Sequence, residues 1–150
     1  MSATLLRSAT TYRTASPTTS AQTYRPSRRT LIAGRVLTVI AAVLLTLDAG
    51  IKLVRARPAI EGSAQLGFSP DQVFVIGVIA AVCLLLYLIP RTAPLGAVLW
   101  TGYFGGAIVT HFRLGQPVFT HILPPIYVAA LIWGSLYLRD SRVRAVLGKR

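Results

Sequence analysis

The chain has 150 residues, of which 53% are hydrophobic and 13% are charged, and its mean hydropathy is +0.60. Soluble domains carry a charged fraction about twice as high, so we expect most of this chain to face lipid or other membrane helices. The net charge of +12 does not indicate nucleic-acid binding, because the basic residues lie mainly near the chain ends and the aromatic residues lie in apolar runs. The single cysteine, Cys83, excludes an intramolecular disulfide.

Residues 1–30 are rich in Thr, Ser and Arg, and no acidic residue precedes Asp48. The stretch lacks the apolar residues needed to bury a core, so we expect a disordered basic tail. An Arg-rich and acid-free start also resembles a mitochondrial transit peptide, which leaves the mitochondrial inner membrane as an alternative location. No clear apolar face develops along this stretch. A cytoplasmic tail on a protein of a bacterial inner membrane is therefore the preferred prediction.

Four apolar stretches are long enough to cross a bilayer as helices. They lie at about residues 31–54, 70–89, 94–112 and 120–138. The polar residues 55–71 form the longest connection, and Ser69, Pro70 and Gln72 predict a capped helix start at its end. The sequence thus predicts an all-α bundle of four transmembrane helices over residues 31–140, followed by a basic cytoplasmic tail over residues 141–150.

The distribution of Lys and Arg predicts the orientation of this bundle. Of the 16 basic residues, twelve lie on the side that holds both termini and the short turn around Arg91. The other four are Lys52, Arg55, Arg57 and Arg113. Because cytoplasmic loops carry the excess of Lys and Arg, both termini are expected in the cytoplasm.

Asp48 and Lys52 lie near the far end of the first predicted helix, where charged side chains are costly. They are four residues apart with the acid first, which is the favourable order for an ion pair on one helix face. One interpretation is a self-neutralising pair that fixes helix packing. The other is a polar site for a ligand, a proton or a quinone head group, and both remain open at this point.

His111, Arg113 and His121 lie at the outer ends of the third and fourth predicted helices, on the same side as Asp48 and Lys52. The two histidines flank a short turn, so they are candidates for the mouth of a pocket. Without a third placed ligand they do not indicate a metal site. No nucleophile arrangement or phosphate-binding motif is present, and catalytic residues remain unknown.

Several glycines are candidates for close packing between helices. Gly102 and Gly106 form a GxxxG motif, and Gly105 and Gly50 are further small residues in the apolar helices. We expect these glycines to serve packing within one chain rather than dimerisation.

An ordered set of motifs along the chain resembles the DoxX-like family of small four-helix membrane proteins. The motifs are GIKL at 50–53, LGF at 66–68, IPRTAPLGA at 89–97, TGYFGGA at 101–107, HFR at 111–113, WG at 133–134 and LRD at 138–140. The resemblance covers roughly residues 31–147. It implies the fold, the membrane location and a link to redox chemistry, because the family name comes from a subunit of a thiosulfate:quinone oxidoreductase that works with a second protein.

These observations together predict a small redox-linked, quinone-associated membrane subunit or accessory protein. The sequence identifies no cofactor, and quinone is the candidate that the redox link suggests. The expected partners are the lipid bilayer and a membrane or redox subunit. A structural scaffold for another membrane protein and a carrier of small solutes remain the alternatives.

Overall fold

The computed structural model describes residues 27–148, which form helices and no strand. The six α-helices are α1 (Arg28–Leu53), α2 (Arg57–Ala64), α3 (Pro70–Leu88), α4 (Ala93–Arg113), α5 (Leu123–Arg139) and α6 (Ser141–Leu147). A π-helical turn, Val118–Ile122, leads into α5. Four segments are long and apolar enough to cross a membrane, namely α1, α3, α4 and the π-helical turn with α5. The predicted all-α four-helix architecture is confirmed.

The four long helices form a ring in which α1 contacts α3, α3 contacts α4, α4 contacts α5, and α5 contacts α1. Helix α1 therefore faces α4 across one diagonal, and α3 faces α5 across the other. Since the chain crosses the bundle four times, the start of α1 and the end of α5 lie at the same end. We call this end, with residues 28–35, 88–93 and 139–148, the terminal end. The opposite end, with residues 48–72 and 106–125, is the pocket end.

The start of α3 follows from its sequence. The Ser69 hydroxyl accepts a hydrogen bond from the Gln72 amide at 3.3 Å, and the Gln72 side chain accepts one from the Ser69 amide at 2.7 Å. Pro70 occupies the first turn, where its missing N–H costs least. The predicted capping box is confirmed.

The start of the fourth spanning segment differs from the expected simple helix at residue 120. Pro124 and Pro125 follow closely, and neither has an N–H to donate. In an α-helix those donors would serve the carbonyls of Thr120 and His121. The chain instead forms the wider π-helical turn before α5 begins at Leu123.

Two further helices lie outside the four predicted spans. Helix α2 forms within the connection 55–71, and α6 forms within the basic segment 141–150, where the Asp140 side chain accepts from the Arg142 amide. The predicted disordered tail, residues 1–30, lies outside the described residues except for its last four positions. Of these, residues 28–30 form the first turn of α1.

Several large core side chains lie between the middle of the bundle and its terminal end. Trp100, Tyr87 and Leu136 are fully buried there, and Cys83 is buried beside them. Gly96 lets α4 approach α3 closely, because a Cβ atom at this position would lie 2.4 Å from the Tyr87 amide nitrogen. This contact explains why the short turn between α3 and α4 can bring two helices so near to each other.

Candidate ligand pocket at one end of the bundle

A polar cluster joins the two helices that face each other across the α1–α4 diagonal. Asp48 and Lys52 of α1 form the predicted ion pair through Asp48 Oδ1. The Tyr103 hydroxyl of α4 donates to the other carboxylate oxygen, Oδ2, at 3.1 Å. The Lys52 ammonium also lies 5.8 Å from the centre of the Tyr103 ring. The carboxylate is thus held by one partner from each helix.

This cluster forms part of the wall of a cavity of about 480 Å³ at the pocket end. A cavity of this size is within the range of small-molecule sites, roughly 300–1,000 Å³. Its lining combines polar and apolar side chains from α1 to α5. The lining residues are Asp48, Lys52, Ser63, Leu66, Phe68, Ile76, Tyr103, Phe104, Gly106, Ala107, Thr110, His111 and Pro125.

The connection between α1 and α3 contributes one side of this cavity. After α2 the chain turns back, with the Phe68 amide donating to the Ser63 carbonyl at 3.0 Å. Gly67 has a φ of +87°, a conformation that glycine adopts without strain. The turn brings Ser63, Leu66 and Phe68 to the cavity wall.

The structure brings the two predicted histidines together, with ring centres 5.1 Å apart. His111 lines the cavity, whereas His121 lies on the π-helical turn and does not line it. Nδ1 of His111 donates to Gln116 Oε1 at 2.8 Å, and Nδ1 of His121 pairs with the Thr120 hydroxyl at 2.7 Å. These pairings leave Nε2 of His111 as a hydrogen-bond acceptor in the neutral ring.

Arg113, the third residue predicted at the mouth, is exposed at the end of α4 and does not line the cavity. Within residues 27–148 no group of three or more His, Cys, Asp or Glu side chains is arranged to hold a metal ion. Of the five residues predicted to form a pocket, the structure brings Asp48, Lys52 and His111 to the cavity wall.

The close contacts between helices do not occur at the glycines that were predicted to make them. Apart from the neighbouring backbone of the same helix, a Cβ atom added at Gly50, Gly102, Gly105 or Gly106 would meet no described atom within 4 Å. These glycines therefore do not mediate close packing within the chain, and the expectation of such packing is corrected. The close approaches occur instead at Gly34, Gly77 and Gly96, where the helices of the ring cross.

The sequence analysis did not include Tyr103 among the candidate site residues and so missed its part in the site. The tyrosine lies in the middle of an apolar helix, and its position relative to Asp48 depends on which helices face each other across the ring. Thr110 was likewise not among the candidates, yet it lines the cavity one turn beyond Gly106. Helix periodicity does relate them, because the cavity-lining residues Tyr103, Gly106, Ala107, Thr110 and His111 follow the i, i+3, i+4, i+7, i+8 pattern of one helix face.

The arrangement can bind an amphipathic molecule with a polar ring or head. Lys52 donates to the carboxylate and to the backbone carbonyl of Asp48, which leaves its third N–H for a ligand carbonyl. The Ser63 hydroxyl can donate to the same kind of acceptor. Nε2 of His111 can accept from a ligand hydroxyl. The apolar wall from Phe68, Ile76 and Phe104 suits a flat ring or the start of a hydrocarbon chain.

The sequence model of the DoxX-like family matches residues 36–135, which include all four spanning helices except the ends of the first and the last. No match is found among curated proteins or among solved structures.

Proposed function

This chain belongs to the DoxX-like family, and from the pocket that it carries we infer that it binds a quinone as a small redox-linked membrane subunit. A quinone has a polar ring with two carbonyl groups and an apolar tail. The mixed lining of the cavity matches both parts. The observation that carries the proposal is the Asp48–Lys52–Tyr103 cluster in the wall of a cavity of about 480 Å³.

The two oxidation states of the ligand fit different groups of the same wall. A quinone carbonyl would accept from Lys52 or Ser63, and a quinol hydroxyl would donate to Nε2 of His111. Asp48 would keep Lys52 charged and oriented, and Tyr103 would hold Asp48. A set of donors and acceptors that serves both states is expected of a site where the ligand changes its oxidation state.

We place the protein in a bacterial inner membrane with both termini in the cytoplasm, in line with the excess of basic residues at the terminal end. The pocket end would then face the opposite side. The redox link of the family supports a partner subunit that exchanges electrons with the bound quinone.

A carrier for small solutes fits the structure less well than a binding subunit. A conduit needs a polar path along the bundle axis, yet beyond the pocket the axis is filled by fully buried Trp100, Tyr87, Ile132 and Leu136. A cavity that is followed by buried, mainly apolar side chains suits binding rather than passage.

The test is to purify the protein in mild detergent, extract it with organic solvent and measure bound quinone per chain. We expect wild type to hold quinone in a stoichiometric amount. The double variant Asp48→Asn, Lys52→Gln loses charge-assisted hydrogen bonds worth about 1.5 kcal/mol, so it should bind quinone about tenfold more weakly and retain less of it through purification.

The matched control is Arg55→Gln with Asp71→Asn, which removes another acid–base pair at the same end. That pair is joined at 2.8 Å, is more exposed and does not line the cavity. It should retain the quinone. If neither wild type nor control holds quinone, the binding proposal fails. If the Asp48→Asn, Lys52→Gln variant is less stable but keeps its function in the cell, the alternative of a structural scaffold for another membrane protein is favoured.

A further inference from the structure

Arg139, the last residue of α5, has an unusual environment at the terminal end. Its guanidinium carbon lies 5.5 Å from the centre of the Tyr87 ring. Two of its nitrogen atoms, Nε and Nη2, are buried and have no hydrogen-bond partner among the described residues. Leaving a buried charged donor unpaired is costly, so these N–H groups call for an acceptor.

No side-chain carboxylate of the chain is available to serve as that acceptor. The chain has four acidic residues, and Asp48, Glu61 and Asp71 lie at the pocket end. The fourth, Asp140, is adjacent to Arg139 but is already engaged by the backbone amide, Nε and Nη2 of Arg142 at 2.9, 3.3 and 3.1 Å. The acceptor for Arg139 must therefore be a group other than these four carboxylates.

The backbone at Arg139 packs closely against α1. Gly34 of α1 packs on the end of α5, and a Cβ atom at this glycine would lie 3.2 Å from the Arg139 Cβ. Tyr87 is anchored by a hydrogen bond of 2.6 Å between its hydroxyl and that of Ser135. Arg139 as a whole remains partly exposed, so its unpaired edge lies just beneath the surface.

The charge balance of the terminal end favours an anion. Among the described residues this end has seven basic side chains and one acidic one, whereas the pocket end has four basic and three acidic. The basic residues are Arg28, Arg29, Arg35, Arg91, Arg139, Arg142 and Arg144. They lie where the spanning helices end, which is the depth of lipid head groups.

Apolar side chains lie beside this basic surface. In α6, Val143 is buried against the bundle, whereas Val146 and Leu147 are 77% and 58% exposed. Exposed aliphatic groups next to arginines at the membrane boundary suit a ligand that has both a phosphate and acyl chains.

We propose that Arg139 is the centre of a binding site for the phosphate of an anionic phospholipid in the leaflet at the terminal end. A guanidinium binds phosphate through two parallel N–H groups, which matches the two unpaired donors of Arg139. The neighbouring arginines attract the head group, and Val146 and Leu147 contact its acyl chains. A free phosphate shares the phosphate chemistry but not the acyl contact.

The test uses the full-length protein in nonionic detergent and three probes: phosphatidylglycerol, phosphatidylcholine and inorganic phosphate. Native mass spectrometry counts bound lipid, and thermal unfolding reports stabilisation. We expect wild type to bind phosphatidylglycerol at least tenfold more tightly than phosphatidylcholine. Inorganic phosphate at millimolar concentration should neither stabilise the protein nor displace the lipid.

Two variants of Arg139 and one control separate a specific site from general attraction. Arg139→Gln should lose about tenfold in affinity for phosphatidylglycerol. Arg139→Lys keeps the charge but not the paired N–H groups, so it should lose most of the preference for phosphatidylglycerol over phosphatidylcholine. This variant keeps the test valid if Arg139→Gln does not fold. Arg91→Gln removes an exposed charge at the same end and should lose less than threefold.

Two outcomes would overturn the proposal. Equal losses from Arg91→Gln and the Arg139 variants would mean that only net charge matters. Stabilisation of wild type by inorganic phosphate as strong as that by lipid would mean that the site takes a free anion rather than a phospholipid.

Discussion

At the terminal end the facing helices α3 and α5 meet through the Tyr87 hydroxyl and Ser135, whereas at the pocket end the facing helices α1 and α4 meet through the Tyr103 hydroxyl and Asp48. Both contacts are tyrosine hydrogen bonds across a diagonal of the same bundle. The first lies among fully buried side chains, and the second lies beside an open cavity.

The acceptor explains the difference between the two ends. Ser135 is neutral, and its own hydroxyl donates to the Ile132 carbonyl at 2.8 Å, so the pair can be buried completely. Asp48 is charged and paired with Lys52, and burying such a pair completely is costly. The Asp48 side chain accordingly stays 38% exposed. The charged contact between Tyr103 and Asp48 thus lies at an accessible site, and the neutral contact between Tyr87 and Ser135 lies in a closed core.

The largest expected effect comes from disturbing the closed end at Gly96. Gly96→Ala would place a Cβ atom 2.4 Å from the Tyr87 amide nitrogen, so the α3 backbone must move. We expect a loss of about 3 kcal/mol in the free energy of unfolding, at the upper end of typical overpacking costs. Unfolding in mixed detergent micelles measures it.

The matched substitution on the same helix is Gly102→Ala, where the added Cβ meets no described atom beyond the neighbouring backbone of α4. It should be neutral or stabilise the protein by about 0.5 kcal/mol, because alanine favours a helix over glycine. Equal destabilisation by both substitutions would mean that Gly102 is packed against another protein rather than within this chain.

A smaller effect sharpens the comparison between the two tyrosines. Tyr87→Phe removes a fully buried hydrogen bond and should cost about 1 kcal/mol in the free energy of unfolding. Tyr103→Phe leaves Asp48 paired with Lys52, so we expect a smaller cost in stability but a clear loss of bound quinone. Thermal unfolding and quinone extraction on both variants check this, and the reverse pattern would contradict the assignment of Tyr103 to the site.

Local patterns in the sequence were enough to predict the spanning helices and the Asp48–Lys52 pair. Both depend on residues close in the chain, such as an apolar run or a spacing of four. The capping box at Ser69 is local in the same sense. These features do not depend on how distant parts of the chain pack together.

Contacts between distant parts of the chain were not predictable in this way. The hydrogen bond from Tyr103 to Asp48 joins residues 55 apart and exists because α1 faces α4 in the ring. The GxxxG motif shows the same limit, because a single sequence does not tell which helix face meets a neighbour. Gly96 carries the close contact although it is no part of that motif.

The smallest expected effect concerns the ion pair at the start of α6. Burial raises the pKa of Asp140, but hydrogen bonds and the charge of Arg142 outweigh it, so the pKa is lowered in the folded protein. A lowered pKa contributes stability that is fully present above the unfolded value, about 3.9, and is lost as the pH falls through the folded value.

The variant Asp140→Asn isolates this contribution, because asparagine also caps a helix but has no charge. Wild type should be more stable than the variant by less than about 1 kcal/mol at pH 6, as expected of a pair whose arginine is exposed. The difference should shrink as the pH falls below the unfolded value and vanish once the wild-type carboxyl is protonated in the folded protein and resembles the variant. Thermal unfolding of both proteins across this range measures it. A difference that stays constant would mean that Asp140 acts through its shape and hydrogen bonds, and that its charge contributes nothing to holding α6 on the terminal end.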